Sequence, residues 1–341
     1  MVGFVFSHLL SHSVIKPCSC PLTLSCAETS SDPLEGCSQR GDKRKASDAA
    51  EAPSKKRRLE PAQDRTKLSE EEQREQFHGK YEQQHKLGVG GCGSVFAGRR
   101  KSDDLPVAIK HIPKDNVPCK HVDHNREKLS IEVAAMLRIQ AATAGLMGTS
   151  APISLLDWYD MGQELILVLE RPVPSEDLFD YVVGNGGLLE EEAKIIVKQL
   201  VDAAIDLEDK GIFHRDIKCE NILIETGSEV PRVRLIDFGL SCFAKKRSCY
   251  RKFYGTHDHA PPEWYCRRTY RAGPTTVYQV GIVLFVMTHR VNFETTMYFG
   301  ERVQISDKVS KDCRDFLEKC FTLVPEHRPK LRELLHHPWL R

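Results

Sequence analysis

His214-Arg215-Asp216-Ile217-Lys218-Cys219-Glu220-Asn221 is followed, sixteen residues after Asn221, by Asp237-Phe238-Gly239. These two runs decide the reading of the chain. They set a carboxylate suited to proton abstraction, Asp216, beside two oxygen donors suited to a hard divalent cation, Asn221 and Asp237. Lys218, two residues beyond Asp216, brings a positive charge to the same place. Either run alone is common and ordinarily marks a loop, so the signal lies in their conjunction at this spacing. Chemistry that moves an anionic group depends on alignment and charge neutralisation more than on covalent assistance, and such a set supplies both.

Upstream, Gly88-Val89-Gly90-Gly91-Cys92-Gly93-Ser94-Val95 lies between the strand-like stretches 81–87 and 95–98. Glycines there let backbone N–H groups approach phosphate oxygens closely, although a Gly-rich hairpin turn would look similar. It is not a Walker A loop, because neither Lys-Ser nor Lys-Thr follows the last glycine. Val107-Ala108-Ile109-Lys110 then gives an apolar strand ending in one lysine, seventeen residues after Gly93. A solvated strand end is the bland reading of that lysine, and a surface salt bridge is the bland reading of any partner. Glu132 offers more: it lies in 125–140, where Leu129, Val133, Met136, Leu137 and Ile139 recur with a helical period, so a helix can present it to Lys110. Downstream, Glu263 in Ala260-Pro261-Pro262-Glu263 and Arg328 in Glu326-His327-Arg328-Pro329 are expected to pair, since a buried Glu without a partner is costly.

From about Lys80 to Arg341 these motifs resemble a eukaryotic protein kinase domain. The runs LPVAIKH (105–111), LERPVPSEDLFDYV (169–182), HRDIKCENILI (214–224), LIDFG (235–239), PPEW (261–264) and HHPW (336–339) are similar to the Pim family of serine/threonine kinases. The resemblance implies an α+β, bilobal protein kinase fold: an antiparallel β N-lobe with one main helix (80–169), a hinge (170–174) and a mostly α-helical C-lobe (175–341). It implies ATP and Mg²⁺ as cofactors and transfer of the γ-phosphate to Ser or Thr hydroxyls. Asp216 and Lys218 then have catalytic roles, and Asn221 and Asp237 hold metal. Leu87, Gly88, Gly90, Gly93, Val95, Ala108, Lys110, Glu132, Glu170 and Leu223 would surround or orient the nucleotide, with Leu169 as a further apolar wall.

The hinge is the most specific of these runs. Kinases commonly offer adenine a carbonyl and, two residues later, an N–H, but Pro172 falls where that donor belongs and proline has none. Only the Glu170 carbonyl remains, which shifts reliance to apolar walls; the alternative is that Pro172 and Pro174 merely stiffen the loop. The resemblance also implies protein substrates with Arg or Lys upstream of the phosphorylated residue, and Asp177, Asp180 and Glu220 are the carboxylates able to receive them. Asp177 has an ordinary alternative as a helix cap.

Three departures stand out. An Asp expected at the start of the long C-lobe helix is replaced in Thr275-Thr276-Val277-Tyr278-Gln279, so the catalytic-loop anchor must come from elsewhere. His257-Asp258-His259 replace residues expected near the substrate. The 289–309 segment is shorter than the family's. Arg215 often binds an activation-loop phosphate in such proteins, and the loop offers Ser248, Tyr250, Tyr254 and Thr256 amid Lys245, Lys246, Arg247, Arg251 and Lys252. The resemblance implies activity without obligatory loop phosphorylation.

Composition agrees with this picture without producing it. The 341 residues are 40% hydrophobic with a formal net charge of +1, enough for two lobes and no pointer to an acidic or basic partner. Twelve cysteines lack paired metal spacing and read as free thiols; Cys92, at the Gly-rich loop tip, is the one near nucleotide. Residues 1–79 are expected to form a low-complexity, disordered extension, since 17–79 is rich in Ser, Pro, Glu, Lys and Arg. Lys43-Arg44 and Lys55-Lys56-Arg57-Arg58 match a bipartite nuclear localisation pattern, with a solvated charge run as the alternative. Met1 to Ile15 lacks the basic start of a signal peptide, and no stretch reaches membrane-spanning length without polar interruption. A cytoplasmic or nuclear monomer without membrane attachment is expected. Two other classes stay open: a catalytically weak pseudokinase or nuclear scaffold, and nucleic-acid binding through 43–58, which no interleaved aromatic supports.

Overall fold

The computed structural model describes residues 68–117, 120–122, 128–142 and 151–341. The two basic runs at 43–58 and the apolar start of the chain lie outside these residues. The first element is helix α1 (Glu70–Lys80), opened by a capping box in which Ser69 and Glu72 satisfy each other's end groups. One side of α1 is buried through Gln73 and Phe77. Phe77 packs edge-on to Tyr159 at 5.4 Å, and the Asp160 N–H donates to Gln73 Oε1 at 2.9 Å. The expectation of disorder through residue 79 therefore fails for 70–79. Two buried side chains one turn apart seat an otherwise polar helix on the sheet beneath it.

Strands β1 (Tyr81–Gly90), β2 (Gly93–Arg100) and β3 (Leu105–Pro113) follow. A short pair, β4 (Lys120–Val122) and β5 (Lys128–Ser130), runs antiparallel and leads into helix α2 (Ile131–Ala142). The Glu132 helix thus begins at Ile131, later than the apolar period suggested, because 128–130 are committed to strand pairing. With β6 (Leu155–Asp160) and β7 (Glu164–Glu170), the N-lobe forms one antiparallel sheet ordered β1-β2-β3-β7-β6.

The C-lobe begins with β8 (Ser175–Asp177) and α3 (Leu178–Gly184), then α4 (Glu190–Asp209) and β9 (Ile212–Phe213). A hairpin of β10 (Ile222–Glu225) and β11 (Arg232–Leu235) carries the motif loops, and β12 (Cys242–Phe243) pairs with β9. Then come α5 (Pro262–Arg267), α6 (Ala272–His289), α7 (Thr295–Phe299), α8 (Lys311–Cys320) and α9 (Leu331–Leu334). Helix α6 is buried continuously from Thr275 to Met287, as a helix apolar on every side must be, and forms the axis of the lobe. Helix α4 buries only one stripe. Between α6 and α8 the chain forms a single five-residue helix, α7. One hydrophobic cluster runs from Val133 and Met136 of α2 through Leu200 of α4 to Phe285 of α6, so the lobes share a core beside the site. Strand pairing sets the register that matters there: β2 and β7 flank β3 with Val95 and Leu167 opposite Lys110, and Ala97 and Leu169 opposite Ala108.

Candidate active site

Lys110 is buried, and its Nζ lies 2.7 Å from Glu132 Oε1 and 2.9 Å from Asp237 Oδ1. The strand and the helix predicted to pair do so on this one ammonium group, and the motif loop, for which no such contact was predicted, joins them. Burial penalises its charge, but the two carboxylates outweigh that penalty and hold its pKa above the ordinary lysine range. The same attraction, aided by the Gly239 N–H at 3.2 Å, outweighs burial at Asp237 and keeps its carboxyl below the usual value.

Above this pair, β1 and β2 meet in the hairpin of the Gly-rich loop, with Gly90 paired to Gly93. Its glycines divide by role. A Cβ on Gly93 would sit 1.9 Å from the His111 carbonyl oxygen, so packing of β2 on β3 forbids one. Beside Gly88, Gly90 and Gly91 a Cβ would meet nothing within 4 Å, which leaves open space for a ligand along the loop. Cys92 turns inward, its Sγ 3.3 Å from where a Cβ on Gly239 would be. Burial, and next the Asp237 charge, push its thiol up, away from a reactive thiolate.

Asp216 sits at the floor. Its Oδ1 accepts two hydrogen bonds from Thr256, from N–H and Oγ1, each 2.8 Å, while Oδ2 accepts from Asn221 Nδ2 at 3.1 Å. Asn221 Nδ2 also donates to the Asp216 carbonyl at 2.8 Å, which leaves Asn221 Oδ1 as the atom available to a cation. Lys218 Nζ stands 3.7 Å from Asp216 Oδ2 and 3.8 Å from Glu220 Oε1. Two backbone residues in the left-handed region, Arg215 (φ 73°) and Asp237 (φ 61°), aim these loops at one another. His214 Nε2 lies 3.1 Å from the Ile236 carbonyl oxygen and closes the junction between them.

Thr256 was missed as a site residue, and no spacing rule would have found it. The missing helix Asp is also accounted for. Thr276, at that position, donates to the Ala272 carbonyl of its own helix, whereas Gln279, almost one turn later, donates from Nε2 to the Arg215 carbonyl at 2.6 Å. Both side chains are buried on the axis helix, so the anchor has moved along α6.

At the hinge, Glu170 turns its carboxylate into the C-lobe, where Arg234 makes two bonds to it at 2.7 and 3.1 Å and the Ser154 N–H a third at 3.0 Å. Only its backbone is left for a ligand. Pro172 lacks an N–H, and its carbonyl accepts from Ser175 Oγ at 2.8 Å. The exposed Leu87, the half-buried Val95, Ala108 and Leu223, and the buried Leu169 flank this region. Asp177 caps α3 through the Asp180 N–H at 2.9 Å, so the bland expectation for it holds. Burial raises its pKa, and the neighbouring charges of Asp180 and Glu220 add to that rise. His259, whose Nδ1 is buried without a partner, faces the same region; burial lowers its pKa against the pull of Glu220 and Asp216. Glu263 and Arg328 pair as expected, with two bonds of 2.6 and 3.0 Å.

Among the described residues no group of three or more His, Cys, Asp or Glu could hold a metal by itself. Two oxygen ligands at Asn221 and Asp237 beneath an open Gly-rich loop instead fit Mg²⁺ that arrives with a nucleotide, because Mg²⁺ is usually held by one or two carboxylates together with substrate phosphates. Nor is any helix among these residues long and apolar enough to cross a membrane.

Comparison with known proteins agrees with this geometry. The family model described as "Protein kinase domain" matches residues 81–340. Serine/threonine-protein kinase pim-2 of Danio rerio is 35% identical over 271 residues, covering 78% of this chain and 86% of that protein. Serine/threonine-protein kinase prk-2 of Caenorhabditis elegans is 32% identical over 273 residues, and Sperm motility kinase 1 of Mus musculus 30% over 274; each alignment covers 78% of this chain. The chain spans 59% and 53% of those two proteins. This chain belongs to the protein kinase family, an ATP-dependent group of enzymes, and within it to the Pim-related serine/threonine kinases.

Proposed function

We propose that this chain phosphorylates Ser or Thr hydroxyls that follow Arg or Lys in protein substrates, as a monomer and without obligatory phosphorylation of its own activation segment. The observation that carries the reading is the buried Lys110 between Glu132 and Asp237, the closed arrangement that would set its ammonium group on the nucleotide phosphates. Mg-ATP, when bound, supplies the phosphoryl group and part of the charge that neutralises its transfer. Lys110 orients the nucleotide phosphates, and Asn221 Oδ1 and Asp237 hold the metal. Asp216 accepts the substrate hydroxyl proton at its carboxylate, which Thr256 orients through Oδ1 and Asn221 through Oδ2. Lys218, within 4 Å of Asp216, lends positive charge where negative charge builds on the transferred group.

Asp177, Asp180 and Glu220 supply the negative field for an upstream Arg, with Glu220 the most accessible partner because its carboxylate is half exposed and, among the described residues, tied only to Lys218 at 3.8 Å. The test compares two peptides that differ only in upstream Arg against Ala. Glu220→Ala should cut kcat/KM for the Arg peptide by about 10- to 100-fold, the worth of one charge-assisted pair, and leave the Ala peptide unchanged. Equal loss on both peptides would refute the assignment of Glu220, and equal turnover of both peptides by the unaltered chain would refute basic-motif selection.

A further inference from the structure

Arg215 precedes Asp216 and is buried, yet its charge meets no carboxylate among the described residues. Its guanidinium carbon lies 4.8 Å from the ring centre of Tyr250, 4.9 Å from that of Tyr254 and 5.9 Å from that of Phe213. Its one hydrogen bond to a carbonyl is long, 3.4 Å from Nη1 to Leu240 O, and Nε is buried without a partner. The surrounding segment cannot supply an anion cheaply: from 240 to 259 Asp258 is the sole acid, against five Lys and Arg. A buried cation in that position must be compensated or it destabilises the loop. The faces of aromatic rings carry negative charge density and provide such compensation.

The rings also sit where they can set catalytic geometry. Tyr254 is two residues before Thr256, and Arg215 is one before Asp216, so the ring contact and the two Thr256–Asp216 bonds join the same pair of backbone segments. Gly255 lies between them, so close that a Cβ there would be 2.7 Å from the Arg215 carbonyl oxygen. Tyr250 is fixed from behind by reciprocal backbone bonds with Tyr270 at 2.9 and 3.1 Å, and Tyr270 OH donates to the Lys252 carbonyl at 3.0 Å. We infer that Tyr250 and Tyr254 are positioning residues: their rings hold Arg215 as an activation-loop anion would, and thereby keep Thr256 seated on Asp216. The inference rests on the proposed phosphorylation-independent kinase activity and names the groups that permit it.

The experiment uses the phosphatase-treated full chain, with Tyr250→Ala, Tyr254→Ala, their double variant and the matching Phe variants. Two readouts are taken: steady-state kinetics on an Arg-containing peptide, and hydrogen exchange across 250–257. The double Ala variant should lose about 10- to 100-fold in kcat, from two desolvated ring contacts, with KM for ATP within about twofold because Lys110 and Glu132 are untouched. Phe at either position keeps the ring face and should restore most of the loss. Exchange at 250–257 should quicken in the Ala variants and stay slow in the Phe variants. Arg215→Ala added to the double Ala variant should cost little more, since the rings act through it. Unchanged exchange in the double Ala variant, or failure of Phe to restore slow exchange, overturns the inference whatever the turnover. Turnover by the untreated chain that vanishes on phosphatase treatment overturns it too. A wild-type chain inactive before and after treatment refutes the kinase reading instead, and hydrogen exchange then still judges the ring contacts.

Discussion

Glu263→Gln should destabilise the domain far more than its small change in volume suggests. Glu263 and Arg328 are both buried, with Glu263 at 3% exposure, and meet through two bonds of 2.6 and 3.0 Å. Arg328 also donates to the Thr322 and Pro274 carbonyls at 2.8 and 3.0 Å and lies 5.0 Å from the Tyr278 ring centre. The guanidinium therefore cannot leave for solvent when its counter-charge is removed. Breaking one side of such a pair costs about 3–5 kcal/mol. Gln retains one acceptor, which favours the lower end, about 3 kcal/mol. For a domain of this size 1 kcal/mol is worth roughly 2–4 °C, so the melting midpoint should fall by about 6–12 °C. Thermal unfolding followed by circular dichroism at fixed concentration measures this. Adding Arg328→Met should give a double variant less destabilised than the sum of the singles, because the stranded charge is gone. A midpoint drop under about 2 °C, or strict additivity, would show that the pair is not the buried anchor described.

Gln279→Leu removes the donor to the Arg215 carbonyl while relieving the unpartnered Gln279 Oε1, so the net loss should be near the low end of 1–3 kcal/mol. Steady-state kinetics should show kcat down about tenfold with little change in KM for ATP; an unchanged kcat would mean that α6 does not anchor the catalytic loop. The hinge carboxylate sets an acid limit. Burial alone would raise the Glu170 pKa, but Arg234 and Ser154 outweigh it and hold it below 4.5. Its contribution to stability is thus complete above the ordinary glutamate value and disappears as pH falls through the lower folded value. Denaturant unfolding between pH 6 and about pH 3 should lose stability less steeply for Glu170→Gln than for the unaltered chain, and parallel curves would contradict this.

The residues proposed to carry chemistry were legible because each motif is contiguous, and because Lys110 and Glu132 sit on elements whose apolar periods reveal them. What escaped the sequence depended on a third dimension. Gln279 serves as anchor from a position almost one turn beyond the expected Asp, which a side chain of its length can do only because α6 runs under the loop. Thr256 reaches Asp216 across forty residues of chain. Helix α1 looked disordered because its composition is polar, yet Gln73 and Phe77 suffice to dock it on β6. The start of α2 was set by strand pairing at 128–130, which an apolar period does not report. The carboxylate of Glu170 gave no hint that it points away from the nucleotide.

The central claim is that Lys110, Asp216 and Asp237 form a working phosphotransfer centre. The most direct measurement is γ-phosphate transfer from ATP to an Arg-containing peptide by the unaltered chain, by Asp237→Ala and by Lys110→Met. Transfer should be readily detected for the unaltered chain and fall by at least about 100-fold in both variants. Equal signal from all three proteins would contradict the account.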